Sequence, residues 1–129
     1  MPAARGFTLL ELLIVLALVS MVAAMVAPRL QHTYAAVARS GDRAEMARQL
    51  ERLPLIARDL GSAVVVPADD PVALARWLTL PAGWQAKAIE PMRIEATGLC
   101  HGGTVRVEGG GSTETWTLAA PDCGVVDAP

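Results

Sequence analysis

From Phe7 to Ala27 the chain is an almost unbroken run of Leu, Ile, Val, Ala and Met, interrupted by Thr8, Glu11 and Ser20 and closed by Pro28. At about 1.5 Å per residue this run predicts a helix of roughly 30 Å, long enough to cross the hydrocarbon core of a bilayer. Past Pro28 the pattern changes. Leu30, Tyr34, Val37, Gly41 and Ala44 step by four and three, and Met46, Leu50 and Leu53 extend a similar stripe. Arg39, Asp42, Arg43, Glu45, Arg48, Glu51 and Arg52 fill the intervening positions with charges of both signs. The spacing predicts an amphipathic helix with one face on a domain and the other toward solvent or neighbours. Pro28 removes one hydrogen bond and bends a helix without ending it, which membrane helices tolerate. Counted from Phe7 to about Leu53, the helix spans roughly 70 Å. Gly41 weakens it by about 1 kcal/mol relative to alanine.

Pro54 predicts the end of the regular helix, with Leu55–Leu60 adding a turn or two before Gly61. From there β-branched and alternating segments take over. Ser62–Val66, bounded by Gly61 and Pro67, reads as a strand. Asp69-Asp70-Pro71 reads as an acidic cap with proline at the first helical position, opening a short helix over Val72–Leu78. Pro81-Ala82-Gly83 is a turn, and Trp84–Ile89 and Met92–Ala96 are two short strands separated at Glu90-Pro91. Thr104–Glu108 and Thr113–Ala119 alternate around Gly109-Gly110-Gly111-Ser112 and form the clearest hairpin in the chain. The expected fold class is α+β: a long N-terminal helical spine, its first half membrane-spanning, with a small, mainly antiparallel β domain.

Glu11 does not fit a plain apolar span. A carboxylate costs on the order of 2.5–3.5 kcal/mol at the centre of a membrane helix and less near its end, and such a residue is by default a functional one. A secretory signal peptide would have a shorter apolar region and a small-residue cleavage motif after it. A plain anchor explains the length and gives Glu11 no purpose. The third account places a cleavage site at Gly6-Phe7, ahead of the run.

Gly6-Phe7-Thr8-Leu9-Leu10-Glu11-Leu12-Leu13-Ile14-Val15 resembles the N-terminus of type IV pilins and type II secretion pseudopilins. The resemblance covers about residues 5–28. It implies that a membrane prepilin peptidase cuts after Gly6 and N-methylates Phe7. It also implies that Glu11 pairs with the new amino terminus of a neighbouring subunit, and that Pro28 is a helix bend. Arg5 and the initial amine hold the leader on the cytoplasmic side. Burying an amine or a carboxylate alone is costly, and pairing them between subunits offsets much of that cost. The bland alternative is a glutamate that snorkels to the interface.

Composition narrows the rest. About 100 residues follow the span, enough for one small domain. Lys and Arg number 11 against 13 Asp and Glu, and only Arg5 and Glu11 of these precede Pro28. No Lys or Arg occurs in Gly109–Pro129. No basic arm is available for a phosphate backbone, so nucleic acid is not an expected partner. Cys100 and Cys123 flank the predicted hairpin. Bonded, they would close a loop of about 24 residues and stabilise the domain by roughly 3 kcal/mol; the alternative is two reduced, buried thiols. Many pilins carry a C-terminal disulfide, and pseudopilins often lack one.

No catalytic site emerges. Cys100-His101 lacks an orienting third group, and His101 reads as a loop residue before Gly102-Gly103. The two histidines and two cysteines lack zinc-ligand spacing. Gly109-Gly110-Gly111 joins strands and opens no helix, unlike a phosphate loop. Asp69-Asp70 suggests calcium less well than a solvated cap, and Trp77, Trp84 and Trp116 read as core anchors. No metal, cofactor or enzyme activity is implied.

The predicted organisation is a leader over 1–6, a transmembrane and assembly helix over 7–28, the amphipathic half of the spine over 29–53, and a periplasmic β-rich domain over 54–129. Cys100-His101-Gly102-Gly103-Thr104-Val105, Trp116-Thr117-Leu118 and Cys123-Gly124-Val125 most resemble H-type minor pseudopilins of type II secretion. That resemblance implies a single-pass protein of the bacterial inner membrane that assembles with major and minor pseudopilins on an inner-membrane secretion platform. The resulting periplasmic pseudopilus helps push folded exoproteins through an outer-membrane secretin. The alternatives are a minor type IV pilin for pilus biogenesis, twitching or DNA uptake, and a membrane-tethered periplasmic binding domain that does not polymerise.

Overall fold

The computed structural model describes residues 3–126. Met1 and Pro2 of the expected leader and the last three residues of the expected C-terminal domain lie outside the described residues. The architecture is α+β and pilin-like, one long N-terminal helical segment followed by small antiparallel sheets. By internal contacts the chain divides into a first unit through Ala38 and a second from Arg39 onward.

The first helix, α1 (Leu9–Glu51), runs without interruption through Pro28. In the first unit its side chains are uncovered: Leu9–Val26 present an exposed apolar surface, and Leu30, Tyr34 and Val37 are exposed as well. The stripe expected to pack on a domain therefore becomes buried only near its far end, at Met46, Gln49 and Leu50. The spacing at residues 30–37 is helical, but periodicity identifies a face and not what covers it.

In the second unit the helix breaks between Glu51 and Leu53, earlier than expected, and α2 (Leu53–Leu60) follows as a separate helix with Pro54 in its first turn. Pro54 has no N–H to donate back along the chain, and its ring crowds the carbonyl four residues earlier. The last turn of α1 tightens instead, with the Arg52 N–H donating to the Gln49 carbonyl at 3.2 Å. Proline costs nothing in a first helical turn, so it begins α2 and does not merely end α1. Gly61, at φ 63°, closes α2 in the left-handed conformation with its N–H on the Arg58 carbonyl.

The strands are β1 (Val64–Val66), β2 (Gln85–Ala88), β3 (Met92–Ile94), β4 (Gly103–Gly109), β5 (Ser112–Ala119) and β6 (Gly124–Val126). β1 and β3 pair as an antiparallel two-stranded sheet, while β2-β4-β5-β6 form a four-stranded antiparallel sheet. The hairpin expected around the glycines is β4–β5, with Val105 opposite Trp116. Gly110 and Gly111 have φ of 59° and 81°, the doubly positive turn that matches strand twist. Gly109 serves a different need: a Cβ there would run into the Trp84 indole. β6 adds a third strand to that hairpin, antiparallel to β5. Its three residues are too few to show an alternation.

The helix expected over Val72–Leu78 is a 3-10 turn, Leu74–Arg76, between irregular segments. Asp70 does not cap a regular helix there. Its Oδ1 accepts the Val72 N–H two residues on, at 2.9 Å, an Asx turn that competes with helical bonding. Asp69 sits at φ 56°, with a Lys87 ammonium 3.9 Å away.

The core gathers Met46, Leu50, Leu53 and Ala57 from the helices, Val64, Val66 and Ile94 from the small sheet, and Val105, Val107, Trp116 and Leu118 from the large one. Strand alternation brings the last four inward. On β2 the same face carries Ala86 and Ala88, buried opposite Val107 and Val105; small residues there leave room for the larger ones on β4 and β5. Of the three tryptophans expected as core anchors, Trp116 is fully buried and Trp84 is packed against the core, but Trp77 is 38 % exposed.

One polar cluster secures α1 to this sheet. Glu114 lies two residues before Trp116, and its Oε2 accepts from Arg43 Nη2 at 2.6 Å and from Trp116 Nε1 at 2.8 Å. The Arg43 guanidinium also lies over the Trp116 ring, 5.8 Å from its centroid, within cation–π range. Nearby, Gln49 is nearly buried and satisfied at both ends: its amide donates to Glu45 at 2.7 Å and its carbonyl accepts the Thr79 N–H at 3.3 Å. The bond from Gln49, followed by attraction to Arg48, holds the Glu45 carboxyl below its ordinary value.

Candidate functional site

The residues around the expected cut lie at a sharp change of backbone. Residues 3–8 form no regular secondary structure, and α1 begins at Leu9. Thr8 is the N-cap: its Oγ1 accepts the Glu11 N–H at 3.2 Å, and its carbonyl accepts the Leu12 N–H at 3.1 Å. Thr8-Leu9-Leu10-Glu11 has the threonine-to-glutamate spacing of a capping box, in which the hydroxyl satisfies one of the helix's unpaired N–H groups. Thr8 was not assigned this capping role from the sequence, although the spacing signals it, with Glu11 as the third helical residue.

Gly6 and Phe7 thus lie in extended or irregular chain immediately before a fixed helix start. Phe7 is 83 % exposed. Glu11 occupies the first turn of α1, where a carboxylate is favoured by the helix dipole. Among the described residues its carboxylate has no hydrogen-bond or ion-pair partner.

Farther along, Ser20 and Thr33 turn their hydroxyls back onto the Leu16 and Arg29 carbonyls, at 2.7 and 3.1 Å. Such back-bonding hides a polar group within the helix, so Ser20 does not interrupt the apolar character of the run. The segment is long and apolar enough to cross a membrane.

In the second unit Cys100 and Cys123 form a disulfide, with Cα atoms 5.5 Å apart and both residues buried. It ties the chain ahead of β4 to the residue preceding β6, and the Cys100 N–H donates to the Pro121 carbonyl at 2.8 Å beside it. Cys100 therefore offers no thiolate to the adjacent His101. His101 Nε2 lies 3.1 Å from Glu95 Oε1, which also accepts from Arg93 Nε at 2.9 Å. The bonds from Arg93 and then His101 hold the Glu95 carboxyl below its ordinary value. The cluster lies at the surface, with the His101 side chain about half exposed. Among the described residues no three metal-ligating side chains come together. Replacing both cysteines by serine is expected to cost about 3 kcal/mol. The check is the denaturant midpoint of the full chain in detergent; an unchanged midpoint would mean that β6 and the core hold this end of the domain without the bridge.

Gly6-Phe7, the cap and the apolar run to Ala27 all fall within one family model, the prokaryotic N-terminal methylation motif, which matches residues 1–27. No curated protein and no solved structure matches the chain. Motif and fold together give an N-terminal methylation signal on a long helix followed by small antiparallel sheets, a pilin-like architecture.

Proposed function

We propose that this chain is a structural subunit of the pilin and pseudopilin type, cut after Gly6 by a prepilin peptidase, methylated on the Phe7 amine, and assembled through its apolar helix. The observation that supports this best is the methylation motif over residues 1–27, with Gly6-Phe7 in irregular chain directly before the capped start of α1. The uncovered apolar surface of Leu9–Val26 suits a bilayer before assembly and neighbouring helices after it. Residues 7–28 are then the membrane and assembly segment, and the domain carrying the sheets faces the periplasm, where a disulfide persists.

Within that class we favour a minor pseudopilin of type II secretion, on the C-terminal pattern around Cys100, Trp116 and Cys123. Its partners are other pseudopilins, the inner-membrane secretion platform and the lipid bilayer. A deletion strain tests this: exoenzymes accumulating in the periplasm support secretion, whereas lost twitching or transformation with normal secretion supports a minor type IV pilin.

Mass spectrometry of the mature protein tests the parent proposal. The expected chain begins at Phe7 and carries one methyl group on its amine. Gly6→Ala is expected to slow processing sharply, because a side chain at the cut must fit a site shaped for none. An unchanged yield of mature protein on a gel would remove Gly6 from that role.

A further inference from the structure

The helix start has a consequence for processing itself. We propose that Thr8 is a positioning residue for the cut at Gly6-Phe7: by capping α1 it fixes where the helix begins and keeps the scissile peptide out of it. This rests on the processing proposal above.

Upstream of the cap stand Ala3, Ala4 and Arg5, which are among the best helix formers, with Gly6 the poor former between them and Phe7. Once a helix exists, each added residue gains a hydrogen bond for little further ordering. A 43-residue helix is an ample nucleus. Nothing in the composition of residues 3–5 would stop α1 from growing back through Phe7 and Gly6. What stops it in the structure is Thr8, whose Oγ1 takes the Glu11 N–H at 3.2 Å in place of a preceding backbone carbonyl. Residues 3–8 accordingly remain free of regular structure.

This matters because a peptidase reads an extended backbone, whose N–H and C=O groups are free to pair with the enzyme. A peptide inside a helix has spent those groups internally. In the reaction water adds across the Gly6–Phe7 bond: hydroxyl goes to the Gly6 carbonyl carbon and a proton to the Phe7 nitrogen, leaving a Gly6 carboxylate and a Phe7 amine. After the cut the same cap, one residue along, leaves that amine outside the first helical turn and available to a methyl donor or to a carboxylate.

Full-length precursor in proteoliposomes, cut by purified prepilin peptidase, provides the test. Thr8→Val keeps the branched shape and removes the hydroxyl, and is expected to be cut roughly three- to tenfold more slowly. Thr8→Ser and Thr8→Asn, which restore a capping oxygen, are expected to stay within about twofold of the native rate. Adding Ala3→Gly and Ala4→Gly to Thr8→Val is expected to recover much of the lost rate, since weak helix formers upstream do the work of the missing cap. Native-rate cutting of Thr8→Val would overturn the positioning role, as would Ser and Asn variants as slow as Val. A native precursor not cut between Gly6 and Phe7 at all would overturn the processing proposal itself.

Discussion

Trp116→Ala is expected to destabilise the second unit by about 3–5 kcal/mol, the largest single-residue effect on stability in this chain. Trp116 is the largest fully buried side chain and stands on β5 opposite Val105, at the centre of the four-stranded sheet. Its removal leaves a void that neighbours on a paired sheet cannot easily fill. Two further losses add to the void. Glu114 loses the indole N–H at 2.8 Å, and Arg43 loses the ring beneath its guanidinium. For a unit of this size each 1 kcal/mol moves the melting temperature by about 4–8 °C, so the midpoint should fall by more than about 12 °C. Domains of this kind have only about 5–15 kcal/mol in total. Calorimetry of the full chain in detergent measures the change, and Trp77→Ala is the control. Trp77 is more than a third exposed, and its loss should move the midpoint by a small fraction of that amount. Equal shifts for the two variants would contradict the burial that separates them.

The contrast between these tryptophans shows what kind of information the chain displays locally. Three aromatic residues in an otherwise aromatic-poor domain all look like anchors, and only the sheet register separates them: Trp116 alternates in phase with Leu118, while Trp77 ends a 3-10 turn with no face of its own. The β4–β5 hairpin was legible because a period of two and a glycine turn specify each other within fifteen or so residues. The break before α2 was half legible. Proline signals an interruption, but whether a second helix follows depends on Leu53 and Ala57 finding the core. The Arg43–Glu114 pair was not legible. Its members lie 71 residues apart, and each alone looks like an ordinary surface charge; Glu114 even occupies an inward phase of β5, which sequence logic marks as an error until Arg43 arrives to meet it. At the N-terminus the situation reverses. Gly6, Phe7, Thr8 and Glu11 are local to one another, and the Thr8-to-Glu11 spacing alone announces the helix start that the structure shows.

Glu11→Ala is expected to abolish assembly while leaving processing intact, and the two effects have opposite physical signs. Removing a carboxylate from an apolar span lowers the cost of placing the helix in a bilayer, by up to about 2.5–3.5 kcal/mol had it sat at the centre. The variant should therefore insert at least as well as the native chain. It should also be cut normally, because the Thr8 cap receives a backbone N–H from residue 11 and not its side chain. In the proposed assembly the charge is decisive. The proposed cut would leave a Phe7 amine within an apolar environment, and an uncompensated buried charge costs about 3–5 kcal/mol relative to the same charge paired. With alanine at position 11 the neighbour offers that amine nothing, and incorporation into filaments should fall by about a hundredfold or more. Glu11→Gln separates charge from shape: it retains a hydrogen-bond acceptor of the same size and should recover only part of the loss. Quantifying mature protein on gels alongside subunits recovered in sheared or overproduced filaments reads both effects in one strain. Normal incorporation of Glu11→Ala would mean that the amine finds its compensation elsewhere, and Glu11 would then be only a first-turn carboxylate interacting favourably with a helix dipole. Loss of cutting together with assembly would place the residue in the peptidase's recognition instead.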